Sequence, residues 1–207
     1  MGGFFIMVIE ISKLKGRHVY LELLLPEHRG IIRQLARDER IWEFNKMLLI
    51  DENYDKMFDA YFEMALDKHS MGGQQSFVIR LAKDDAVIGM TRLYEISEKD
   101  KLATIGYTWY IPSVWGGVHN KECKLLLLQY AFETLHFNRI ELRVAHQNIR
   151  SQKAVEKIGG TKEGVLRKHG YRNDGSLKHT VIYSILDDEW SNAKEKLLQL
   201  IMESEND

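Results

Sequence analysis

A single mixed α/β domain is predicted by three features of this sequence: short alternating strands in the first half, a strand, helix, strand unit in the second, and no linker between them. At 207 residues the chain is long enough for one substantial core and short for two. Proline occurs twice, at Pro26 and Pro112, and no Gly/Ser-rich or Pro-rich stretch divides the chain. Residues 1–207 are therefore expected to fold as one unit, with its core over about 17–186 and a C-terminal helix over about 189–201.

The elements follow from periodicity. Arg17 to Leu25 reads as a strand, and His28 to about Arg40 as a helix that places Ile31, Ile32 and Leu35 on one face. Asp51 to His69 repeats Tyr54, Phe58, Phe62 and Leu66 every four residues, the spacing of a helix stripe. Three strands come next, Ser76 to Leu81, Ala86 to Glu95 and Ala103 to Ile111, running as a meander whose first turn is Lys83-Asp84-Asp85. In the third, Ala103, Ile105, Tyr107, Trp109 and Ile111 alternate with Thr104, Gly106, Thr108 and Tyr110, and Pro112 ends it.

After Trp115-Gly116-Gly117, a helix from about Asn120 to Leu135 leads to the strand Arg139 to Ala145, an order that implies a parallel crossover. Asn148 to Ile158 makes another helix, stopped by Gly159-Gly160. Strands Thr161 to Lys168 and His179 to Leu186, separated by Asn173-Asp174-Gly175, close the sheet.

Composition excludes several function classes. Lys and Arg total 29 against 30 acidic residues, and the net charge of −1 lacks the basic footprint of a nucleic-acid binder. The single cysteine, Cys123, allows no internal disulfide and suits a reducing compartment, so a cytoplasmic location is expected. The apolar run Phe4 to Ile9 is too short for a signal segment, and no run reaches the 18 or so apolar residues of a membrane span. The eight histidines show no ligand spacing, so no metal is expected.

Two segments could carry chemistry. The loop Trp115 to Lys121 holds adjacent glycines before a helix, where free backbone N–H groups favour an anion; an ordinary turn would use the same residues. Lys121, with Lys124 one turn on, could add charge there. In the second segment Asn148 fits an N-cap and could equally contact a ligand. Ser151 shares a helix face with Ala154, Val155 and Ile158; its hydroxyl either bonds back to a carbonyl or serves a reacting centre.

Taken together, Trp115-Gly116-Gly117, Glu122, Asn148-x-x-Ser151, Gly159 and Glu163-Gly164-Val165-Leu166-Arg167 resemble the GCN5-related N-acetyltransferase (GNAT) superfamily. The subgroup they look most like is the RimJ/RimL type, the ribosomal-protein N-terminal acetyltransferases. The resemblance implies a sheet that splays between the parallel strands Ala103–Ile111 and Arg139–Ala145, with acetyl-CoA as acyl donor in the gap. Backbone near Trp109, Tyr110 and Ile111 would pair with pantetheine, and the loop of Trp115, Gly116, Gly117, Val118, His119, Asn120 and Lys121 would hold the pyrophosphate. Asn148 would touch the pantetheine arm, and Lys153 or Arg150 would lie near the adenosine.

A neutral primary amine, either a protein N-terminus or a small molecule, would attack the thioester directly, with no covalent enzyme intermediate. N–H donors of the splayed strand would meet the oxyanion, and Ser151 would protonate the departing thiolate. Candidate bases are His119, Glu95 and His169, and acceptor pockets of this fold are built from segments corresponding to Trp42–Tyr61 and Arg167–His179. A homodimer is left open.

Three departures stand out: Val118 replaces a small residue, Val155 occupies a position where many relatives use a tyrosine acid, and Gly160 replaces an aromatic or alanine. The vacant tyrosine position motivates a rival reading, a non-catalytic acyl-CoA-binding module.

Overall fold

The computed structural model describes residues 13–70 and 73–205; the Phe4 to Ile9 run lies outside the described residues. Eight strands form one sheet: β1 (Lys13–Lys15), β2 (Val19–Leu23), β3 (Gln74–Leu81), β4 (Val87–Ser97), β5 (Leu102–Tyr110), β6 (Arg139–Ala145), β7 (Thr161–Leu166) and β8 (Thr180–Leu186). Their order is β1-β2-β3-β4-β5-β6-β8-β7. All neighbours are antiparallel except β5 and β6, which are joined by a helical crossover and run parallel.

Helices cover both faces. On one lie α1 (Arg29–Leu35) and α2 (Tyr54–Ser70), whose Ile32, Phe58 and Phe62 pack with Trp42, Met90 and Trp109. On the other lie α3 (His119–Gln129), α4 (Ile149–Lys157) and α5 (Trp190–Glu205), which bury Leu127, Val155 and Leu197 against Ile105 and Leu142. α1 is shorter than its sequence pattern: Ala36 caps it, and a 3-10 turn at Glu39–Trp42 follows, with the Trp42 indole donating to the Ala36 carbonyl at 2.8 Å. Arg29, Arg33 and Arg37, one turn apart, stack on Phe62, Phe58 and Tyr54 of α2 and pair with its Asp55, Asp59 and Glu63. The expected Asn120–Leu135 helix starts one residue earlier and ends in a π-helical turn at Tyr130–Thr134.

The strand expected from Arg17 to Leu25 begins only at Val19, as β2, because a side chain takes the backbone bonds of Arg17 and His18; β1 is a further short strand ahead of the expected range. The buried Glu122 carboxylate on α3 accepts from the N–H groups of Arg17, His18 and Val19 at 2.8, 2.7 and 2.7 Å. These charge-assisted bonds fasten α3, and the loop before it, to the sheet.

β5 corrects the expected alternation. Met90 lies opposite Trp109 and Arg92 opposite Gly106, so Thr91 faces two residues of a bulge in which Tyr107 has φ +52°. The bulge reverses the phase: Ala103 and Ile105 face α3, Tyr107 and Trp109 pack toward α2, and Tyr110 returns to the α3 side. At the same place β5 leaves β6. Parallel pairing runs from Leu102 opposite Arg139 to Ile105 opposite Leu142 and stops. Beyond it β5 stays with β4 as far as Tyr110, and β6 stays with β8 as far as Ala145. Gly106, Tyr107 and Thr108 are consequently half-exposed in the middle of a sheet.

The hairpin β7–β8 reaches back to the early loop. Arg172, 9% exposed between those strands, donates to the carbonyls of Phe44 and Leu177, the Ser176 hydroxyl and the Gln147 side chain, while Asn173 donates to the Met47 carbonyl. Two consequences are measurable. Glu122→Ala strands three backbone donors and should lower stability in urea by about 3 kcal/mol, with Glu122→Gln intermediate. Arg172→Ala should cost about 2 kcal/mol and speed amide exchange in 42–48 and 170–178 more than in the core strands.

Candidate active site

The gap between β5 and β6 opens directly toward the loop before α3. A 3-10 turn, Pro112–Val114, carries the chain away from the sheet to Gly116, whose φ of +81° lies where a side chain would be strained. Among the described residues, no acceptor takes the backbone N–H of any residue from 116 to 121; the next amide, Glu122, donates to Val118. Six free donors at the start of an eleven-residue helix form a ready anion cradle. Val118 is buried beneath it in helical conformation, so the valine leaves the cradle open.

Side chains that border the gap come from three elements. The Trp115 indole donates to the Tyr110 carbonyl at 2.9 Å, and the Arg150 guanidinium of α4 lies 4.8 Å from the Trp115 ring, bringing a cation beside the cradle. Asn148 caps α4, its Oδ1 accepting from Ser151 N–H at 3.0 Å, which uses the oxygen and leaves the amide nitrogen. Ser151 is half-buried, and among the described residues its hydroxyl has no hydrogen-bond partner.

Gln152, which the sequence reading passed over, fixes this helix: its Nε2 donates to the His146 carbonyl at 2.7 Å, and Tyr183 reaches Glu156 Oε1 at 2.8 Å. The signal was a polar residue at a position the structure buries to 8%, invisible without the packing. Gly160 has a local cause as well. A Cβ there would lie 2.5 Å from Val155 Cγ1 and 3.0 Å from the Val155 carbonyl oxygen, so valine at 155 and glycine at 160 accompany one another.

Several expected residues stand differently. Trp109 and Tyr110 bury their side chains on opposite faces, Trp109 donating to the Tyr61 hydroxyl at 3.1 Å, so only their backbone could meet a ligand. Ile111 N–H is committed to the Ile88 carbonyl of the strand on the other side. The Lys121 ammonium turns to the Gly117 carbonyl and the Ser204 hydroxyl of α5, at 3.2 and 2.6 Å, rather than into the cradle. Lys124 reaches Thr108 Oγ1 at 3.3 Å, and burial holds its amine below the ordinary value. Asn120 is exposed at the cradle's rim. Lys153 is exposed roughly 200° around α4 from Ser151 and away from that group.

The candidate bases separate. His119 packs on its own loop beside Gly117, with burial the main cause of a lowered pKa; that is the α3 side. Glu95 is engaged by Arg143 through both its oxygens, at 2.9 and 2.5 Å. His169, its Nδ1 3.2 Å from the Thr180 hydroxyl, lines an open depression of about 660 Å³ with Val165, Leu166, Arg167, Lys168 and His179. Among the described residues no group of three His, Cys, Asp or Glu side chains could hold a metal, and no helix is long and apolar enough to cross a membrane.

Known proteins agree with this architecture. A family model described as an acetyltransferase (GNAT) domain matches residues 18–161. The Bacillus subtilis protein named "Putative ribosomal N-acetyltransferase YdaF" is 29% identical over 180 residues, spanning 86% of this chain and 96% of that one. Among solved structures, a GCN5-related N-acetyltransferase from Brucella melitensis aligns at TM-score 0.80 with 22% identity, over 91% of this chain and 85% of that one. The spermidine N-acetyltransferase of Vibrio cholerae, in complex with CoA and spermine, aligns at TM-score 0.70 with 22% identity, over 84% and 99%; at such identities these two likenesses show the fold. With the family model covering the parted strands, the cradle and α4, the chain belongs to the GNAT family and is an N-acetyltransferase, an enzyme of a family whose acyl donor is acetyl-CoA.

Proposed function

We propose that this enzyme binds acetyl-CoA in the gap between β5 and β6 and transfers its acetyl group directly to a primary amine, with a protein N-terminus as the leading acceptor. One observation carries the reading: an unfilled gap in a sheet ends on six unbonded N–H groups. A pantetheine arm supplies hydrogen bonds that the backbone between Gly106 and Tyr110 lacks on that side, as an added strand would, and the pyrophosphate takes the cradle. The Arg150 guanidinium, beside Trp115, supports the phosphates, and the Asn148 amide is left to meet the arm. The N-terminal acceptor is favoured by the likeness to YdaF, whose printed name gives it a ribosomal acceptor.

In the chemical step the amine nitrogen, once neutral, adds to the thioester carbonyl carbon. The oxyanion that forms is met by N–H groups of the bulged β5, and as the C–S bond breaks the thiolate takes a proton from Ser151, whose hydroxyl is restored by the proton that the newly acylated nitrogen loses, passed directly or through water. Of the candidate bases, His169 is the one that combines an open depression with a ring not held in an ion pair, and it receives the amine proton directly or through water.

Calorimetry with CoA and thiol release from acetyl-CoA with peptide N-termini test the reading: binding with turnover is expected, and absence of CoA binding would sink it. Binding without turnover of any amine would favour the acyl-CoA-binding module. Ser151→Ala should lower kcat tenfold to a hundredfold, on the order of a lost acid, with CoA affinity unchanged. Arg150→Ala should weaken CoA binding about threefold to tenfold and flatten its salt dependence.

A further inference from the structure

Arg92 on β4 is the anomaly of the described residues. Its side chain is 0% exposed, yet Nε and Nη1 are buried without any hydrogen-bond partner. Its one bond is from Nη2 to the Tyr61 carbonyl at 3.4 Å, and among the described residues no carboxylate pairs with it. The guanidinium lies against two rings, its carbon 4.5 Å from the Tyr61 centroid and 4.3 Å from that of Tyr107. Two cation–π contacts offset part of the burial cost, but a buried cation without a carboxylate remains costly, and a guanidinium offers five donors.

Its position gives that charge a use. Arg92 lies opposite Gly106, where β5 leaves β6, on the face of α1 and α2. Tyr107, one of its two covers, is half-exposed at the parting of the strands, so the guanidinium sits one ring behind the wall of the gap. The Tyr107 ring is 5.0 Å from Tyr94, and Tyr94 is 6.0 Å from the Arg143 guanidinium of β6, so cations and rings alternate across the mouth. Lys178 adds to them: exposed as a residue but with its ammonium partly desolvated, it has no ion pair among the described residues, and that desolvation first, then Arg143 and Arg172, press its pKa down. The carboxylates within reach, Glu95 and Glu141, are both taken by Arg143.

We infer that the acceptor carries a carboxylate as well as the amine, and that Arg92, reached when the half-exposed Tyr107 ring turns aside, binds the carboxylate with Lys178 at the rim while the amine faces the thioester. This rests on the acetyl-transfer reading and narrows its substrate. A polyamine would meet uncompensated like charge, which disfavours it. A carboxylate on an amine has two sources, a free amino acid or an acidic residue near a peptide N-terminus.

The test compares kcat/KM for acceptor twins that differ by one carboxylate: glycine against glycinamide and aspartate against asparagine in one arm, amidated Ser-Glu against amidated Ser-Gln peptides in the other, with spermidine alongside. The acid twin should be preferred at least tenfold in one arm, which names the source, and spermidine should be slowest. Arg92→Gln should erase the preference through KM, with the calorimetric Kd for CoA unchanged. Lys178→Gln, at an exposed position that does not threaten the fold, should reduce it about threefold even if the Arg92 variant does not fold. Equal rates for both twins in both arms, or spermidine as the best acceptor, would overturn the inference while leaving acetyl transfer intact; loss of CoA binding in the wild type would instead remove the reading beneath it.

Discussion

One constraint governs the molecule: two adjacent strands share only four residue pairs and then go separate ways. A sheet interior tolerates unbonded backbone poorly, because each N–H or C=O removed from water without a partner costs a kcal/mol or more. β5 and β6 accept that condition over Gly106–Tyr110 and Arg143–Ala145 because their outer sides remain paired with β4, apart from the bulge at Tyr107–Thr108, and with β8. The bulge at Tyr107 turns β5 away, while β6 keeps an unbroken antiparallel register with β8. What remains is a slot whose two walls are backbone and whose end is a helix N-terminus.

The surroundings hold that slot open. Glu122 ties α3 to the segment before β2, fixing the cradle; Gln152 and the Tyr183–Glu156 bond tie α4 to β6 and β8, fixing Asn148 and Ser151. Both attachments use polar side chains buried against backbone groups, which specify one geometry more sharply than apolar contact does. Arg172 makes a third, drawing the β7–β8 hairpin onto the loop after Trp42, so that the segments expected to shape an acceptor pocket touch each other. The two faces thereby acquire different characters. The α3–α4 side presents free N–H groups and Arg150, suited to phosphates, whereas the α2 side presents rings and guanidinium groups.

Much of this was legible beforehand. Period-two and period-3.6 patterns identify the three-strand meander, the crossover and the helix after Asn148, and the paired glycines before α3 mark the loop whose backbone N–H groups are free. Less legible were features that depend on a partner remote in sequence. Arg17 reads as the start of a strand because nothing local announces that Glu122, more than a hundred residues on, will accept its N–H and that of His18. The phase of β5 was misread at Tyr107, since a bulge inserts a residue without altering the composition that alternation is read from. Lys121 looked like a phosphate ligand by proximity, and its ammonium instead found Ser204 on α5.

By itself, then, the sequence determined the order and type of elements, the parallel crossover, the loop of free N–H groups and the capping role of Asn148, because all of these are set by local periodicity, glycine conformation and helix-end chemistry. Only the tertiary structure decided where β5 and β6 part, which face each aromatic of β5 occupies, which lysines are already bonded, and that Arg92 is buried between two tyrosines with donors to spare. Those depend on through-space pairing and on the desolvation of charge, and neither quantity exists until distant parts of the chain have been brought together.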